Sequence, residues 1–485
     1  MREWLRINGL QTHSKRDTRN YPLVHSDLRA RAFPPRRATT MLAFKMKRPL
    51  QEVRTDRALG DKIDNDTWGA TGRDILQKVD GMRMRVAEAS QSYTEKGAEE
   101  CRAAFGKYQE LCRQAGYVCK GVSLKDANLT FKWCDAFDTA NHHMEPDWSF
   151  ERACVVFNLA ASISFLGTHQ DRTTPTGLKT ACNLYQQAAG ALAEVQAMVS
   201  AAAWRSSPDL SSDTLGALQT LMLAQAQKNF VEKAQADGMS DKILALLNAE
   251  CAGLYEEVGR RFDEAKARQR PISAMAQEWL DVVEWNRKVF DGLQHHFLAK
   301  VADAEHKYGD ALSRHTYAAN KTAEAVKACA GAPPALQEQF KRAHQICLDA
   351  YNGSKRDNDS IYHEKVPHIS TLPKPERKSM VKPQRPAELD NDPSFEALLP
   401  PSVSRGPSME PAAAAAAPTS VEGAMGAIQL DDAGDGPPPP SFADAEAAGL
   451  VELTNMGFDL TKAKDALARC NGSVQEAANL LAAES

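Results

Sequence analysis

The sequence contains no Cys-x-x-Cys pair, which argues against both a zinc site and a redox-active dithiol. Its ten cysteines are scattered along the chain, and most of them lie in apolar helical patterns. Scattered thiols of this kind are typical of a reduced, cytoplasmic protein and not of a disulfide framework. We therefore expect free thiols at Cys101, Cys112, Cys119, Cys134, Cys154, Cys182, Cys251, Cys329, Cys347 and Cys470.

The chain also lacks a long apolar run. No stretch approaches the roughly 18–20 apolar residues that a membrane span requires. The composition is that of an ordinary globular protein, with 43% hydrophobic and 25% charged residues. A length of 485 residues exceeds what one compact domain usually contains, so we expect two or more domains.

Catalytic motifs are missing as well. The sequence has no P-loop, no Gly-x-Ser-x-Gly elbow and no His-Cys-x5-Arg phosphate loop. His363-Glu364 stands one residue too far from His368 for a zinc-binding His-Glu-x-x-His helix, and Pro367 would break that helix. Two further histidine pairs, His142-His143 and His295-His296, are adjacent in sequence. Adjacent side chains point in different directions on a regular helix or strand, so neither pair indicates a catalytic site. We predict that the chain is not an enzyme and has no cofactor and no metal.

Charge is unevenly distributed, although the net charge is only −4. Residues 1–40 contain nine lysines or arginines against Glu3, Asp17 and Asp27, a net charge of +6. This composition and the weak periodicity predict a disordered basic appendage. Two interpretations stay open: a transit-like segment, or an appendage or mis-assigned start ahead of a domain that begins at Met41. The rest of the chain is acidic, and we expect no nucleic-acid partner.

From residue 41 to about residue 405 the pattern is mainly helical. Leu129 to Trp133 alternates and is rich in β-formers, so it predicts one short strand. The helical pattern without a strict repeat predicts an all-α, tetratricopeptide-like helical solenoid. Apolar residues recur at spacings of three and four over residues 68–90, 93–115, 150–167, 178–203, 214–236, 240–265 and 271–330.

The composition changes after Gly406. Residues 406–443 are rich in alanine and proline, which predicts a flexible linker. A second interpretation makes Pro437 to Pro440 a ligand for an SH3 or WW module. Residues 444–485 become periodic again and predict three short helices, close to the lower size limit for independent folding.

Several ordered motifs resemble the Bro-one (BRO) domain of Alix-like, ESCRT-associated proteins. They are Glu151 followed by CVVFNLAA from residue 154, MLAQAQKNF from residue 222, and DNDSIYHEKVP from residue 357, which continues into VKP from residue 381. The resemblance implies a banana-shaped helical domain over residues 41–405, with a small β element. It also implies that the domain acts as an adaptor.

In that family an amphipathic helix at the C-terminus of the ESCRT-III core subunit lies in an apolar groove. The positions that resemble this contact are Phe230, Ile243 and Leu247, with Lys233 beside them. Ile243 and Leu247 are four residues apart and therefore share a helix face. Spacing alone favours a second interpretation, in which all three apolar residues are core. The interior stripe of their helix contains Leu247 and has Ile243 only at its edge.

Two further resemblances concern regulation and ubiquitin. Tyr362 resembles a tyrosine that relatives use as a phosphorylation point, although a packed tyrosine explains it equally well. The tail, residues 444–485, resembles a three-helix UBA domain. The side chains that resemble its ubiquitin-binding patch would bind weakly, or else they only close the small core of the tail. They are Met456, Gly457, Phe458, Leu480 and Leu481.

These features together predict a cytoplasmic adaptor that is recruited to endosomes and contacts the membrane peripherally. The large domain is expected to bind an ESCRT-III core subunit, and the UBA domain ubiquitin or ubiquitinated cargo, in multivesicular-body sorting and membrane scission. The competing hypothesis is a signalling scaffold or ubiquitin-pathway shuttle that does not bind ESCRT-III.

Overall fold

The computed structural model describes residues 41–50, 53–90 and 95–399. The chain divides into two compact units, Met1–Ala424 and Met425–Ser485, and the described residues all belong to the first. The predictions for residues 1–40, 406–443 and 444–485 lie outside the described residues.

The described residues form twelve α-helices, several short 3-10 or π-helical turns and one two-stranded sheet. After the eleventh helix the chain runs back as a largely irregular stretch, residues 363–392, which we call the return segment. The elements are α1 (Thr55–Leu59), α2 (Gly69–Ala89), α3 (Glu95–Val118), β1 (Phe131–Cys134), β2 (His142–Glu145), α4 (Trp148–Thr168), α5 (Pro175–Ala201), α6 (Ser212–Ala236), α7 (Asp241–Ala267), α8 (Ala274–Glu278), α9 (Leu280–Ala304), α10 (Tyr308–Ala328), α11 (Pro334–Asp357) and α12 (Pro393–Glu396).

Each long helix packs against the next one along the chain. The series runs from α2 through α3, α4, α5 and α6 to α7, and continues through α9, α10 and α11. Side-chain caps fix several helix starts, since Asp147, Thr174 and Ser240 each accept a hydrogen bond from a backbone N–H two or three residues later. The prediction of an all-α helical solenoid with a small β element is confirmed.

The apolar spacing over residues 271–330 belongs to more than one helix, because the chain turns between α9 and α10. His306 has a left-handed backbone with a φ of 59°. The N–H of Lys307 donates to the carbonyl of Ala302 at 2.9 Å, which ends α9. The turn lets α10 pack back on α9. Apolar spacing does not reveal it, because both helices have the same period. The helix α11 was not predicted at all.

The predicted strand begins at Phe131 and not at Leu129, and it has a partner that was not predicted. β1 pairs antiparallel with β2, with Phe131 opposite Glu145. The chain before α1 adds one contact, since the N–H of Leu50 donates to the Lys132 carbonyl at 2.9 Å. β2 reads His-His-Met-Glu, which is poor in β-formers. Its place in the sheet therefore depends on pairing with β1.

Helix α4 is the most buried helix among the described residues. By length and composition it is apolar enough to cross a membrane, and 94% of its most apolar window is buried within the protein. The expectation that no stretch approaches such a run was therefore wrong for α4. Since α3 and α5 pack against it and β1 contacts it, the helix is buried on nearly all sides, and its high apolar content is that of a core helix.

Glu151, in the first turn of α4, is fully buried and collects three partners. Arg83 of α2 forms an ion pair with its carboxylate. Tyr108 Oη of α3 donates to Oε1 at 2.6 Å, and Trp133 Nε1 of β1 donates to Oε2 at 2.6 Å. Burial works to lower the pKa of Arg83, but the Glu151 carboxylate outweighs it and raises that pKa. The Glu151 cluster therefore joins α2, α3, α4 and β1 through a buried, hydrogen-bonded charge pair.

The adjacent histidines of α9 point apart, and both are buried. The ring centroid of His295 lies 4.4 Å from that of Tyr317, and the centroid of His296 lies 5.5 Å from that of His315. Arg314 Nη1 approaches His295 Nδ1 at 3.3 Å. Burial lowers the pKa of both His295 and His296 to about 4. Both rings are therefore neutral in the folded protein at neutral pH.

We predict that stability falls as pH decreases below 6.5. The ordinary histidine pKa of 6.5 applies in the unfolded chain, so the unfolded chain takes up protons first and folding loses free energy between pH 6.5 and about 4. From about pH 7.5 to 5.5 the loss is on the order of 1 kcal/mol for each histidine. Urea denaturation should show a flatter pH dependence for the His295→Gln/His296→Gln variant. The exposed His142→Gln control should keep the wild-type slope. Equal slopes for all three proteins would contradict the prediction.

Candidate functional site

Helix α6 carries buried polar side chains that fasten other segments to it. Gln225 Oε1 accepts from the Leu42 N–H at 2.5 Å, and its Nε2 donates to the Leu42 carbonyl at 2.9 Å. Lys228 Nζ donates to Asn286 of α9 at 3.1 Å and to Gln339 of α11 at 3.3 Å. Burial lowers the pKa of Lys228 to about 8. The motif MLAQAQKNF thus ties the start of the domain and the helices α9 and α11 to α6.

Gln227 lies between these two residues and fastens the return segment. Its Nε2 donates to the Leu247 carbonyl of α7 at 3.3 Å and to the Lys378 carbonyl at 3.4 Å. Its Oε1 accepts from the Met380 N–H at 3.3 Å. The N–H of Lys378 also donates to the Leu246 carbonyl at 3.3 Å. One buried amide therefore holds α6, α7 and the return segment in a fixed arrangement.

The four residues predicted to bind ESCRT-III lie at the adjoining ends of α6 and α7. Phe230 and Lys233 are in the last two turns of α6, and Ile243 and Leu247 are in the first two turns of α7. Phe230 is 1% exposed and Leu247 is 0% exposed, so the burial supports a core role for these two. Ile243 and Lys233 are only partly buried and reach the surface. Contact of the four residues with a partner stays a prediction.

Two residues that the sequence did not point to share this surface. Leu246 follows Ile243 by three positions and lies on the same face of α7, and Met380 is held beside α6 by Gln227. Both are partly exposed. We call Lys233, Ile243, Leu246 and Met380 the α6–α7 surface. Met380 directly precedes the VKP motif, but its distance in sequence from α6 hides its place beside that helix.

Ion pairs border the α6–α7 surface. Lys233 Nζ lies 2.6 Å from Asp237 Oδ2, and Lys300 Nζ of α9 lies 2.5 Å from Asp241 Oδ1. Asp237 follows the end of α6, and Asp241 begins α7 two residues before Ile243. The surface is therefore apolar at its centre and polar at its rim, as protein-binding sites are.

The return segment continues across α5, where it passes close to a glycine. A Cβ at Gly190 would lie 1.9 Å from the Gln384 carbonyl oxygen, so only glycine fits there. The N–H of Gln384 donates to the Gln186 carbonyl at 2.9 Å, and the N–H of Lys382 donates to Gln186 Oε1 at 3.1 Å. These bonds satisfy backbone groups that an irregular segment would otherwise leave unpaired. They also fix the part of the return segment that follows Met380 in sequence.

Tyr362 ends a short π-helical turn, Asn358–Tyr362, that follows α11. Its ring stacks on that of Tyr308, with centroids 3.5 Å apart and planes 8° apart. The residue is nevertheless 40% exposed. One side of the ring is thus packed and the side chain is still accessible, so its regulatory role stays a prediction.

The histidines near Tyr362 do not share a helix. His363 follows the π-helical turn with a left-handed φ of 54°, and His368 caps a separate 3-10 turn. Within the described part of the chain, no group of three His, Cys, Asp or Glu side chains is placed to hold a metal ion. The nine cysteines in that part are free and buried, and Cys470 lies outside it.

A family model of the BRO1-like domain matches residues 41–409, about three quarters of the chain. The protein therefore belongs to the family of BRO1-like domain proteins. A model of the UBA/TS-N domain matches residues 450–481, which contain Met456, Gly457, Phe458, Leu480 and Leu481. These five residues, and Pro437 to Pro440, lie outside the described residues. Both predicted family resemblances are confirmed, and neither matched domain is catalytic.

Two curated relatives show how much of longer proteins this chain covers. Tyrosine-protein phosphatase non-receptor type 23 of Mus musculus is 29% identical over 308 residues, which are 64% of this chain and 18% of that protein. Vacuolar protein-sorting protein bro-1 of Neurospora crassa is 30% identical over 269 residues, which are 52% of this chain and 26% of that protein. The chain thus spans about a quarter or less of these relatives.

The fold is shared with a solved structure, the ALIX BRO1–CHMP4C complex. The TM-score is 0.60 at 23% sequence identity, and the match covers 72% of this chain and 97% of that chain. At this identity the likeness concerns the fold.

Proposed function

We propose that this protein is an ESCRT-associated adaptor that binds the C-terminal helix of an ESCRT-III core subunit on its α6–α7 surface. The observation that carries the proposal is the partly exposed apolar strip of Ile243, Leu246 and Met380. An amphipathic helix laid on such a strip buries its own apolar face. The choice of partner is supported by the ALIX BRO1 structure of the same fold, which contains CHMP4C.

In this proposal Phe230 and Leu247 support the contact indirectly, from the core beneath the α6–α7 surface. Both side chains are buried, so they pack the ends of α6 and α7 together and leave direct contact to Ile243, Leu246 and Met380. Lys233 is bound to Asp237 in the free protein and can exchange that carboxylate for one on the partner helix. Such an exchange favours the correct register more than it adds affinity.

The tail is proposed to bind ubiquitin or ubiquitinated cargo through its UBA domain. The proposed arrangement has four parts in this order: a disordered basic segment (residues 1–40), the BRO domain (41–405), a flexible linker (406–443) and the UBA domain (444–485). The protein would work in the cytoplasm, at endosomal membranes during multivesicular-body sorting and scission. The name of the Neurospora crassa relative, a vacuolar protein-sorting protein, supports this assignment.

Titration of a synthetic peptide of the ESCRT-III core subunit's C-terminal helix into the full-length protein tests the proposal. We expect saturable binding with a Kd on the order of 10 μM, because the surface is small. A peptide of the same composition in scrambled order should not bind. Failure of the native peptide to bind folded protein would refute the proposal. Retained ubiquitin binding would then favour the signalling scaffold or ubiquitin-pathway shuttle.

A further inference from the structure

A groove lies between α2 and α3, at the start of the series of packed helices. It shares no residue with the α6–α7 surface. It has a volume of about 460 Å³, and its lining includes Ile75, Met82 and Leu111. Asp392, at the end of the return segment, also lines the groove. Ile75 is buried, and Met82 and Leu111 are partly exposed. The groove between the two helices therefore has an apolar floor that is open to a partner.

The rim of this groove is positively charged. Lys78, Arg85 and Lys107 line it and are exposed. In the described parts of the chain, Arg85 and Lys107 have no ion pair, whereas Lys78 lies 2.6 Å from Asp74. Unlike the rim of the α6–α7 surface, this rim thus retains positive charges without carboxylate partners.

Two carboxylates also line the groove, but one of them is already neutralised. Glu110 Oε2 accepts from Arg113 Nε at 2.7 Å, and its Oε1 accepts from Arg113 Nη2 at 2.8 Å. Asp392 Oδ1 accepts from the Ser394 N–H at 2.9 Å and caps the short helix α12. Arg85 and Lys107, two cations without a carboxylate partner among the described residues, face one carboxylate without a cationic partner, Asp392, so the groove keeps a positive excess. Electrostatic complementarity therefore favours a negatively charged occupant.

Gly81 gives the groove room for a second helix. It stands in the interior of α2, where glycine is unfavourable, and a Cβ built on it meets no atom within 4 Å. Neither a turn nor a close approach inside this domain explains a glycine there. The absent side chain leaves the groove open over one turn of α2, so a docked backbone can come close to α2.

We propose that the α2–α3 groove binds an amphipathic helical peptide of another protein, with an apolar stripe flanked by acidic residues. The apolar stripe would cover Ile75, Met82 and Leu111, and the acidic flanks would meet Arg85 and Lys107. A peptide fits better than a lipid surface, because the apolar atoms lie inside a groove and not on a projecting loop. The groove gives this BRO domain a second docking site that does not require the first.

The test uses the full-length protein and two labelled peptides. One is helical, with leucines three and four residues apart and glutamates on both sides of the leucine stripe; the other has lysine in place of every glutamate. Fluorescence anisotropy should show binding of the acidic peptide only. Gly81→Met should weaken it at least about tenfold, because the new side chain fills the groove without meeting the fold. Gly259→Met in α7, whose Cβ also meets nothing within 4 Å, should bind as the wild type does.

A second variant tests the charges, and circular dichroism checks that every variant is folded. Arg85→Glu/Lys107→Glu should abolish binding of the acidic peptide. Equal binding of both peptides, or unchanged binding by Gly81→Met, would overturn the proposal. Binding of the protein to anionic vesicles would also overturn the proposal if it depended on Arg85 and Lys107 but not on Gly81. That result would indicate a lipid site. The Ile243→Asp variant should still bind the acidic peptide. If that variant lost the binding, the peptide would lie on the α6–α7 surface and not in the α2–α3 groove.

Discussion

Glu151→Gln is expected to destabilise the large domain by about 3–5 kcal/mol, because it removes the buried carboxylate that forms an ion pair with Arg83. Arg83 is 2% exposed and would remain charged, because a guanidinium does not lose its proton in proteins. Tyr108 and Trp133 would compete for the one remaining carbonyl acceptor. Because the Glu151 cluster joins α2, α3, α4 and β1, the loss should lower the stability of the whole domain. Urea denaturation followed by circular dichroism measures it.

The matched control is Glu338→Gln on α11. Glu338 lies 3.6 Å from Arg342, and both side chains are more than half exposed. Exposed pairs of this kind contribute little, so the urea midpoint should stay at the wild-type value. A wild-type midpoint for Glu151→Gln as well would mean that the Glu151 cluster does not hold these elements together.

Ile243→Asp is expected to weaken binding of the ESCRT-III peptide by at least about a hundredfold. A carboxylate that must be desolvated against an apolar helix face costs several kcal/mol, and each 1.4 kcal/mol is about a factor of ten in Kd. Because Ile243 is partly exposed at the start of α7, the aspartate stays hydrated in the free protein. The fold should therefore survive, and calorimetric titration can measure the loss directly.

Ile346→Asp on α11 provides the matched control, since Ile346 is 55% exposed and is not one of the residues of the α6–α7 surface. It should bind the peptide with wild-type affinity. Leu247→Asp would be a poor test, because a fully buried position confuses lost binding with lost folding. Unchanged affinity of a folded Ile243→Asp variant would refute the assignment of this surface.

Much of the fold could be predicted from the sequence, because local pattern determines it. Helices with a clear apolar period were found to within a few residues, and MLAQAQKNF pointed to the helix on which the site is built. The edge position of Ile243 also followed from the spacing of apolar residues on α7. These features depend on residues that are neighbours within one element.

The features that were missed depend on residues far apart in sequence. Nothing near Met380 indicates that Gln227 holds it beside α6, because the bond crosses from a helix to an irregular segment. The turn at His306 was hidden because a left-handed residue leaves the apolar period on either side unchanged.

In the proposed function, two weak binding sites on one chain act together at a membrane. The most direct measurement is flotation of the full-length protein with vesicles that carry tethered ubiquitin, the tethered ESCRT-III peptide, or both. We expect vesicles with both ligands to recruit far more protein than the two single-ligand vesicles combined, because two weak binding sites on one chain produce avidity. Ile243→Asp and Met456→Ser/Phe458→Ser should each reduce recruitment to the single-ligand level. Recruitment that is merely additive, or equal for wild type and both variants, would contradict the proposal that the two binding sites act together.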